Sequence, residues 1–292
     1  MKKSYMRAVS TVFIWSTTAA VVKLLLFNIP NLEALSISCF IPFFFLLFLN
    51  IKNGKIKELK NYSVKDFGIM GGLGFLGLFV YNALYFYGLS QLSSQEACIL
   101  NYLWPIMLVL FSCIILREKV TFMKVFAILC SFIGIIILSM GTGTAGSGNA
   151  VLGIAACIAA AACYGLFCVL NKKAEYDQGI AMMINWFVAA VGAMILGLVT
   201  ETWVPIRGTQ WIGMLWFGII VNGVGYLWWA LALNEAEDSA KIANLAYLVP
   251  FLSLIVSAIL VGEKLELRAV VALIFIIGGI LLQSLYERRQ TK

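Results

Sequence analysis

The chain has 292 residues, of which 62% are hydrophobic and only 12% charged, and its mean hydropathy of +0.96 is far outside the range of soluble domains. Its formal charge of +7 comes from basic residues scattered over short predicted loops, a pattern that nucleic-acid binding explains poorly, so no nucleic-acid partner is expected. Histidine is absent, so the usual general base and most zinc sites are missing, and neither an enzyme nor a metal or cofactor is expected. These properties predict an integral membrane protein with the lipid bilayer as its surroundings.

Ten apolar segments, each of roughly 20 residues, are long enough to cross about 30 Å of hydrocarbon as helices. Unbroken apolar runs lack the alternation of a membrane barrel, so helix is the expected state. The predicted fold class is therefore an all-α integral membrane protein with ten transmembrane helices. In chain order the spans lie at 7–27, 33–51, 66–88, 94–116, 121–140, 149–170, 180–199, 210–233, 239–261 and 266–286.

The basic residues predict the orientation of these spans. If the N-terminus is cytoplasmic, only four of the 21 lysines and arginines lie outside, namely Lys23, Arg207, Lys264 and Arg268. This bias places both termini in the cytoplasm. A secretory signal is the competing interpretation of the N-terminal basic residues and apolar stretch. It is disfavoured because no small-residue cleavage site follows and a similar segment recurs in mid-chain.

The second half of the chain repeats the first. At an offset of 145 residues the string Tyr102-Leu103-Trp104-Pro105 aligns with Tyr247-Leu248-Val249-Pro250, and Glu118-Lys119 aligns with Glu263-Lys264. Each copy holds five spans, and an odd number forces the two copies to cross the membrane in opposite senses. The sequence thus predicts an inverted-repeat carrier, with repeats at 1–140 and 149–292 joined by an external linker at 141–148.

That linker contains the string Gly141-Thr142-Gly143-Thr144-Ala145-Gly146, which matches the dinucleotide-binding fingerprint in letters only. It lies between two membrane spans without the following amphipathic crossover helix that the fingerprint requires. A flexible Gly/Ser/Thr connection between the repeats explains it better. The sequence has no P-loop either, so ATP hydrolysis by this chain is not expected.

Polar and aromatic residues inside the spans are the strongest pointers to a substrate path, because a polar group in hydrocarbon is costly unless it faces protein or water. Asn101 and Pro105 share one face of span four, and the proline is expected to free a backbone carbonyl near Asn101. Interfacial belts and helix contacts are the alternative use of such rings. The predicted substrate-binding residues are Trp15, Tyr81, Asn82, Tyr85, Asn101, Tyr102, Asn185, Trp186, Tyr226, Trp229, Asn244 and Tyr247.

Charged residues within the spans are few. Glu96 lies about one turn inside span four and is a candidate for a charge role, although a helix N-terminus alone favours a carboxylate there. Lys23 is expected to extend to the outer headgroups. The paired Glu-Lys turns are expected to cap helices. No carboxylate occupies a mid-span position, which disfavours an antiporter of multiply charged cations.

The Asn101-Tyr102-Leu103-Trp104-Pro105 motif, the Glu-Lys pairs and the five-plus-five layout resemble the EamA family of the drug/metabolite transporter superfamily. Glu96, five residues before Asn101, and Asn171-Lys172 at the end of span six are similar to bacterial exporters of aromatic amino acids and paraquat. The resemblance covers the whole chain and implies an alternating-access carrier of the bacterial cytoplasmic membrane that exports a small-molecule substrate. It assigns Asn101 and Tyr102 to a central cavity.

The resemblance also implies a hinge at Pro105, with Tyr247 and Pro250 as the counterpart of the motif in the second repeat. The second copy departs from the first, because Asn101 is replaced by Ala246 and Trp104 by Val249. This difference predicts a site formed mostly by one half of the chain.

Several functions stay open at this level. Aromatic or other neutral amino acids are the leading substrates, since neutral amides serve both charges of a zwitterion. Quaternary amines or cationic drugs such as choline and methyl viologen, and uptake in place of export, are the variants. A channel or scramblase, and a membrane enzyme acting on a lipid-linked substrate, are the alternatives from other classes. A monomer and a homodimer are equally compatible with the sequence.

Overall fold

A computed structural model describes residues 2–115, 117, 121–139, 149–172, 176–234 and 245–290, which form helices and their connections without a strand. Within these described residues, eight helices are long and apolar enough to cross a membrane, and two further apolar helices, α5 and α9, are shorter. In order they are α1 (Lys3–Leu26), α2 (Asn31–Lys52), α3 (Val64–Gln91), α4 (Ser94–Ile115), α5 (Phe122–Leu138), α6 (Ala150–Asn171), α7 (Gln178–Thr200), α8 (Thr209–Trp229), α9 (Leu245–Leu260) and α10 (Leu267–Tyr286).

These helices coincide with the predicted spans to within a few residues, apart from the ninth. The first part of that span, 239–244, lies outside the described residues, as do the linker 141–148 and Glu118-Lys119. The chain is therefore a multi-pass membrane protein, while the count of ten crossings stays a prediction because α5 and α9 fall short of a full span.

Large apolar side chains cover the outside of the helix bundle. Phe44, Phe132 and Val199 are 60%, 63% and 80% exposed, and similar residues line the outward faces of most helices. A water-soluble protein rarely presents so much contiguous apolar surface. In a bilayer the same surface faces acyl chains, so the exposure of apolar side chains is expected for a protein surrounded by lipid.

Hydrogen bonds between helix ends define the two ends of the bundle. At the end where α1 begins, here called the near end, the Ser4 hydroxyl donates to the Ala232 carbonyl at 2.6 Å, just beyond Trp229 of α8. At the opposite far end, the Glu201 carboxylate accepts from the backbone amides of Leu32 and Glu33 at the start of α2. Each carboxylate or hydroxyl thereby satisfies a helix terminus that lipid cannot solvate.

Helices pair along their lengths in a regular pattern. The α2 helix packs along α7, α5 packs along α10, α6 packs against α3 and α4, and α1 packs against α8 and α9. Glycine allows close helix contacts, since a Cβ built on Gly74 of α3 would lie only 2.6 Å from the Asn185 Cα of α7. Such small residues let backbones approach where lipid supplies no hydrophobic driving force.

Several helices depart from regular α geometry in the middle of the bundle. The α1 helix is interrupted at Thr17, and α4 is interrupted at Tyr102 and Leu103. The α3 and α8 helices contain π-helical segments, Phe75–Val80 and Trp216–Gly225. Irregularities of this kind persist in membranes only where they are buried in protein or line a cavity.

Candidate functional site

A cavity of about 370 Å³ lies where these irregular segments meet. It is lined from α1, α3, α4, α6, α7, α8 and α9. The residues predicted from sequence that the structure places on its wall are Trp15, Tyr81, Asn82, Tyr85, Asn101, Tyr102, Trp186, Tyr226, Trp229 and Tyr247; Thr18, Cys98, Trp104, Tyr164, Phe217 and Asn222 are among the other lining residues.

One side of the cavity is an aromatic cluster from α1, α7 and α8. The Trp15 ring lies 5.3 Å from Tyr226 in an edge-to-face arrangement and 5.2 Å from Trp229. Trp186 meets Tyr226 at 6.2 Å, again edge to face. The π-helical segment of α8 ends at Gly225 and so presents Tyr226 and Trp229 to the cavity. Edge-to-face contacts of this kind fix ring orientation and are worth about 0.5–1.5 kcal/mol each beyond burial.

A second aromatic cluster, from α3, α4 and α6, forms the opposite side. Tyr164 packs 4.8 Å from Tyr81 and 5.4 Å from Trp104, and Tyr81 stacks parallel to Tyr85 at 6.2 Å. The side chains of Tyr164 and Tyr226 interact with each other and so connect the two clusters. The cavity therefore presents ring faces and edges on both sides of its interior.

Four polar atoms on the cavity wall are buried without a hydrogen-bond partner among the described residues. They are the Asn101 Oδ1, the Asn222 Nδ2 and the indole Nε1 atoms of Trp15 and Trp186. The other amide atom of Asn101, its Nδ2, donates to the Tyr81 hydroxyl at 3.1 Å and fixes the direction of the free oxygen. An unmatched buried polar atom costs about 1–3 kcal/mol, so a solute that pairs with these atoms gains affinity.

The described residues on the cavity wall carry no formal charge. Asn82 donates its Nδ2 to the Leu78 carbonyl within the π-helical segment at 2.7 Å. Besides ring faces and hydroxyl groups, this wall thus presents three unpaired indole or amide donors and one unpaired amide acceptor. Such a lining suits a solute with an aromatic or apolar body and small polar ends.

Two predicted binding residues do not meet in this cavity. Asn185 lies against α3, where its amide nitrogen donates to the Met70 carbonyl at 2.7 Å and the Ala181 carbonyl at 3.1 Å in the orientation that satisfies both amide atoms. Its assignment to the cavity was wrong, because the close approach of Gly74 turns this face of α7 into a helix contact. Asn244 lies outside the described residues.

The two prolines border the cavity without lining it. Pro105 is the second residue of the helical segment that resumes at Trp104, directly after the break that the proline predicted. Pro250 occupies the same place in α9, where the turn Leu245–Leu248 precedes the segment Val249–Leu260. Proline is favoured at these first positions because its missing N–H would be unpaired there in any case.

Glu96 and Lys23 lie in a second cavity of about 590 Å³ at the far end, here called the vestibule. Glu96 forms a capping box with Ser93 and an ion pair with Arg268 at 3.2 Å. The expectation that Lys23 extends to lipid headgroups was wrong. Its ammonium donates to the Leu89 and Leu92 carbonyls at 2.5 and 2.6 Å, and so caps the end of α3.

The predicted capping role of the second Glu-Lys turn is confirmed in the vestibule. The Glu263 carboxylate accepts from the backbone amides of Ser94 and Gln95 at 2.6 and 3.1 Å, at the first turn of α4. Arg268 also contacts Glu266 and donates to the Leu138 carbonyl at the end of α5.

Sequence reasoning missed the break in α1 and both π-helical segments. Ser16 and Thr17 donate their hydroxyls to the carbonyls of Phe13 and Ile14, both at 2.7 Å, which competes with the helix ladder. The run of three hydroxyl residues ending at Thr18 was the available signal. Of the two π-helical segments, only Trp216–Gly225 is marked in the sequence by several glycines.

The structure thus defines a multi-pass membrane protein with an aromatic-lined cavity inside its helix bundle, an arrangement typical of carriers of small molecules. The chain belongs to the EamA-like transporter family, whose family model matches residues 2–140 and 151–285. It is a member of a transporter family, as the sequence resemblance predicted.

Individual relatives agree with this assignment. An uncharacterized transporter of Clostridium kluyveri is 26% identical, covering 96% of this chain and 92% of that protein. The aromatic amino acid exporter YddG of Ancylobacter novellus is 27% identical over 75% of this chain and 76% of its own length. A solved crystal structure is similar with a TM-score of 0.69, 20% identity and full coverage of both chains, which shows the fold.

Proposed function

We propose that this protein exports neutral amino acids, aromatic ones foremost, through the central cavity by alternating access. The observation that carries this proposal is the lining of that cavity, which combines two aromatic clusters with unpaired amide and indole groups and, among the described residues, no charge. The name of the Ancylobacter novellus relative supports the same substrate class and direction.

A zwitterion fits this lining for an electrostatic reason. A buried charged side chain would be left uncompensated whenever the cavity is empty, at a cost of several kcal/mol. Neutral groups avoid that cost and still bind both ends of an amino acid. Asn101 Oδ1 accepts from the ammonium group, while the Trp15 and Trp186 indoles and the Asn222 amide donate to the carboxylate.

The aromatic clusters favour a flat side chain. Rings such as those of phenylalanine or tryptophan pack edge to face or offset against Trp15, Tyr81 and Tyr164, adding about 0.5–1.5 kcal/mol per ring pair. The cavity volume lies at the small end of ligand sites, which matches a solute the size of an amino acid.

The proposed topology has ten spans in two inverted repeats, 1–140 and 149–292, with both termini in the cytoplasm. The basic residues supply the orientation, and a carrier of this kind rocks one half against the other around a central site. Reporter fusions at the N-terminus and at Arg207 test it. A reporter that works only in the cytoplasm should be active at the N-terminus, and a reporter that works only outside the cytoplasm should be active at Arg207.

Quaternary amines are the second candidate substrates, because ring faces attract a cation by about 0.5–2 kcal/mol. The lack of a carboxylate on the described cavity wall ranks them below amino acids. The two candidate substrates differ in which donors of the cavity wall they leave without a hydrogen-bond partner. A quaternary amine offers no partner to the donors on Trp15, Trp186 and Asn222, whereas an amino acid carboxylate does.

Counterflow in proteoliposomes tests the proposal. Vesicles are loaded with unlabelled phenylalanine, threonine, choline or methyl viologen, and entry of the matching labelled solute is followed without an ion gradient. Phenylalanine should accumulate fastest, threonine more slowly, and protein-free vesicles should show no accumulation. Accumulation of choline or methyl viologen alone would contradict the proposal and favour the second candidate. Equal, unsaturable leakage of all four would indicate a channel.

A further inference from the structure

The central cavity and the vestibule are separated by the contact between α4 and α9. Cys98 of α4 lines the cavity, while Gln95, less than one helical turn earlier, lines the vestibule together with Glu263. Passage between the two spaces along α4 therefore crosses a barrier of about one helical turn.

Small polar side chains face each other across this barrier. The two helices touch and run antiparallel, and the Cys98 thiol faces the Ser253 hydroxyl. One turn farther toward the far end on each helix, Ser94 and Ser257 occupy the same faces. Both serines are fully buried, and neither hydroxyl has a partner among the described residues.

Buried serines at another helix contact are satisfied, although Ser131 of α5 is also buried without a partner among the described residues. At the contact of α2 with α7, Ser36 donates to the Ala190 carbonyl at 3.1 Å, and Ser38 donates to the Ala34 carbonyl of its own helix at 2.7 Å. Unpaired buried hydroxyls are costly. Their occurrence on both sides of the contact between α4 and α9 calls for a partner that this closed arrangement does not contain.

Glu263 holds the outer edge of this contact closed. Its carboxylate bridges from the connection after α9 to the first amides of α4, which are the positive end of that helix. Hydrogen bonds that backbone amides donate to a carboxylate are among the stronger hydrogen bonds in proteins. Glu201 caps α2 in the same way, also at the far end, but at a contact without unpaired hydroxyls.

We propose that the substrate leaves the cavity between α4 and α9, along a transit site formed by Ser94, Cys98, Ser253 and Ser257, and that Glu263 is the latch at its outer end. This inference rests on the proposed function and adds the route that the solute takes. The occupant is the polar part of a zwitterion. Its carboxylate replaces Glu263 on the amides of Ser94 and Gln95, and its ammonium binds the serine hydroxyls.

Cysteine labelling tests the transit site without knowledge of the substrate. All seven native cysteines are replaced, and Ser257→Cys is introduced with and without Glu263→Gln. A charged thiol reagent that does not cross membranes is applied to intact cells and to inverted vesicles, so that each face is probed separately. Ser36→Cys is the matched buried control, and Glu201→Gln is the matched capping control.

Glu263→Gln should raise the labelling rate of Ser257→Cys from one face about tenfold, the effect expected when a charge-assisted hydrogen bond is weakened. Ser36→Cys should stay unlabelled, and Glu201→Gln should leave the rate at Ser257→Cys unchanged. If Glu263→Gln leaves the labelling rates of Ser257→Cys and Ser36→Cys unchanged, or raises both equally, the assignment of Glu263 as a latch is wrong.

Full modification of Ser257→Cys should also stop phenylalanine counterflow, because the added group fills the route. Persistent counterflow would overturn the route and leave the proposed function standing. If the unmodified protein shows no phenylalanine counterflow, the proposed function fails on its own, and the labelling comparison still decides whether the passage and its latch exist.

Discussion

Asn101 is the residue on which the polar chemistry of the cavity depends most. Its Nδ2 is held by the Tyr81 hydroxyl, so its unpaired Oδ1 has a fixed direction. Asn101→Ala removes the acceptor for an ammonium group that every amino acid shares. The KM of counterflow should therefore rise about tenfold for phenylalanine and threonine alike, the value of one hydrogen bond to a charged group.

Tyr81→Phe is the control for this prediction. It removes the support of Asn101 but keeps the ring and the amide oxygen, so its effect on KM should be clearly smaller than that of Asn101→Ala. A normal KM in Asn101→Ala, with the protein folded, would exclude this residue from substrate binding.

Lys55 and Asp177 form an ion pair at the near end, 2.5 Å between Nζ and Oδ2, which ties the loop after α2 to the start of α7. Partial burial acts to raise the pKa of Asp177, but the hydrogen bond from Lys55 and those from the first amides of α7 outweigh it and hold the pKa below its ordinary value of 3.8. A carboxyl whose pKa is lower in the folded state stabilises above its unfolded pKa and loses that contribution as pH falls.

The melting temperature of the purified protein should therefore fall between about pH 5 and pH 3 more steeply than that of Asp177→Asn, in which this contribution is absent. Parallel melting curves for the two proteins would show that the pair contributes nothing.

Residue types inside the spans predicted most of the cavity wall, because polar and aromatic groups in hydrocarbon must face the interior. Asn185 shows the limit of that reasoning. Its amide is equally well satisfied by the carbonyls of a neighbouring helix, and only the close approach at Gly74 decides between the two uses. The sequence predicts that a polar group in a span faces the interior of the bundle. It does not predict which interior surface the group contacts.

The contact of α3 with α7 predicts how substitutions of two glycines in α3 affect stability. A methyl group on Gly74 would lie 2.6 Å from the Asn185 Cα, whereas one on Gly72 would meet nothing within 4 Å. Gly74→Ala should therefore cost about 1–3 kcal/mol through overpacking, because a backbone atom cannot move aside as a side chain can. Thermal unfolding in detergent should show a lower melting temperature than for the original protein.

Gly72→Ala is matched in helix and chemistry and should be neutral or slightly stabilising, since alanine favours helix over glycine. Equal destabilisation by both substitutions would mean that α3 does not approach α7 as described.

The positions of the helices followed from hydropathy, since a helix needs about 20 apolar residues to cross the hydrocarbon. Their interruptions followed only in part. Pro105 marks the break in α4 because proline cannot join the helix ladder, whereas the π-helical segments Phe75–Val80 and Trp216–Gly225 carry no residue that forces them. Each segment ends directly before a tyrosine of the cavity wall, Tyr81 or Tyr226, a relation that appears only in the folded structure.

At the scale of the whole molecule, composition and the two family matches agree on a multi-pass transporter. The inverted relation of the two halves and the cytoplasmic termini stay predictions from the sequence repeat and the basic residues. The structure adds two spaces along the bundle, a neutral aromatic cavity and a charged vestibule, which the linear sequence does not separate.

Equilibrium binding of labelled phenylalanine to the purified protein tests the central claim most directly. Trp15→Ala and Trp211→Ala are measured beside the original protein, since Trp15 lies on the cavity wall and Trp211 is exposed on the bundle surface. Binding should be saturable, weakened roughly three- to tenfold by Trp15→Ala through the loss of one aromatic contact, and unchanged by Trp211→Ala. Absence of saturable phenylalanine binding, or equal loss in both variants, would contradict an aromatic amino acid site in this cavity.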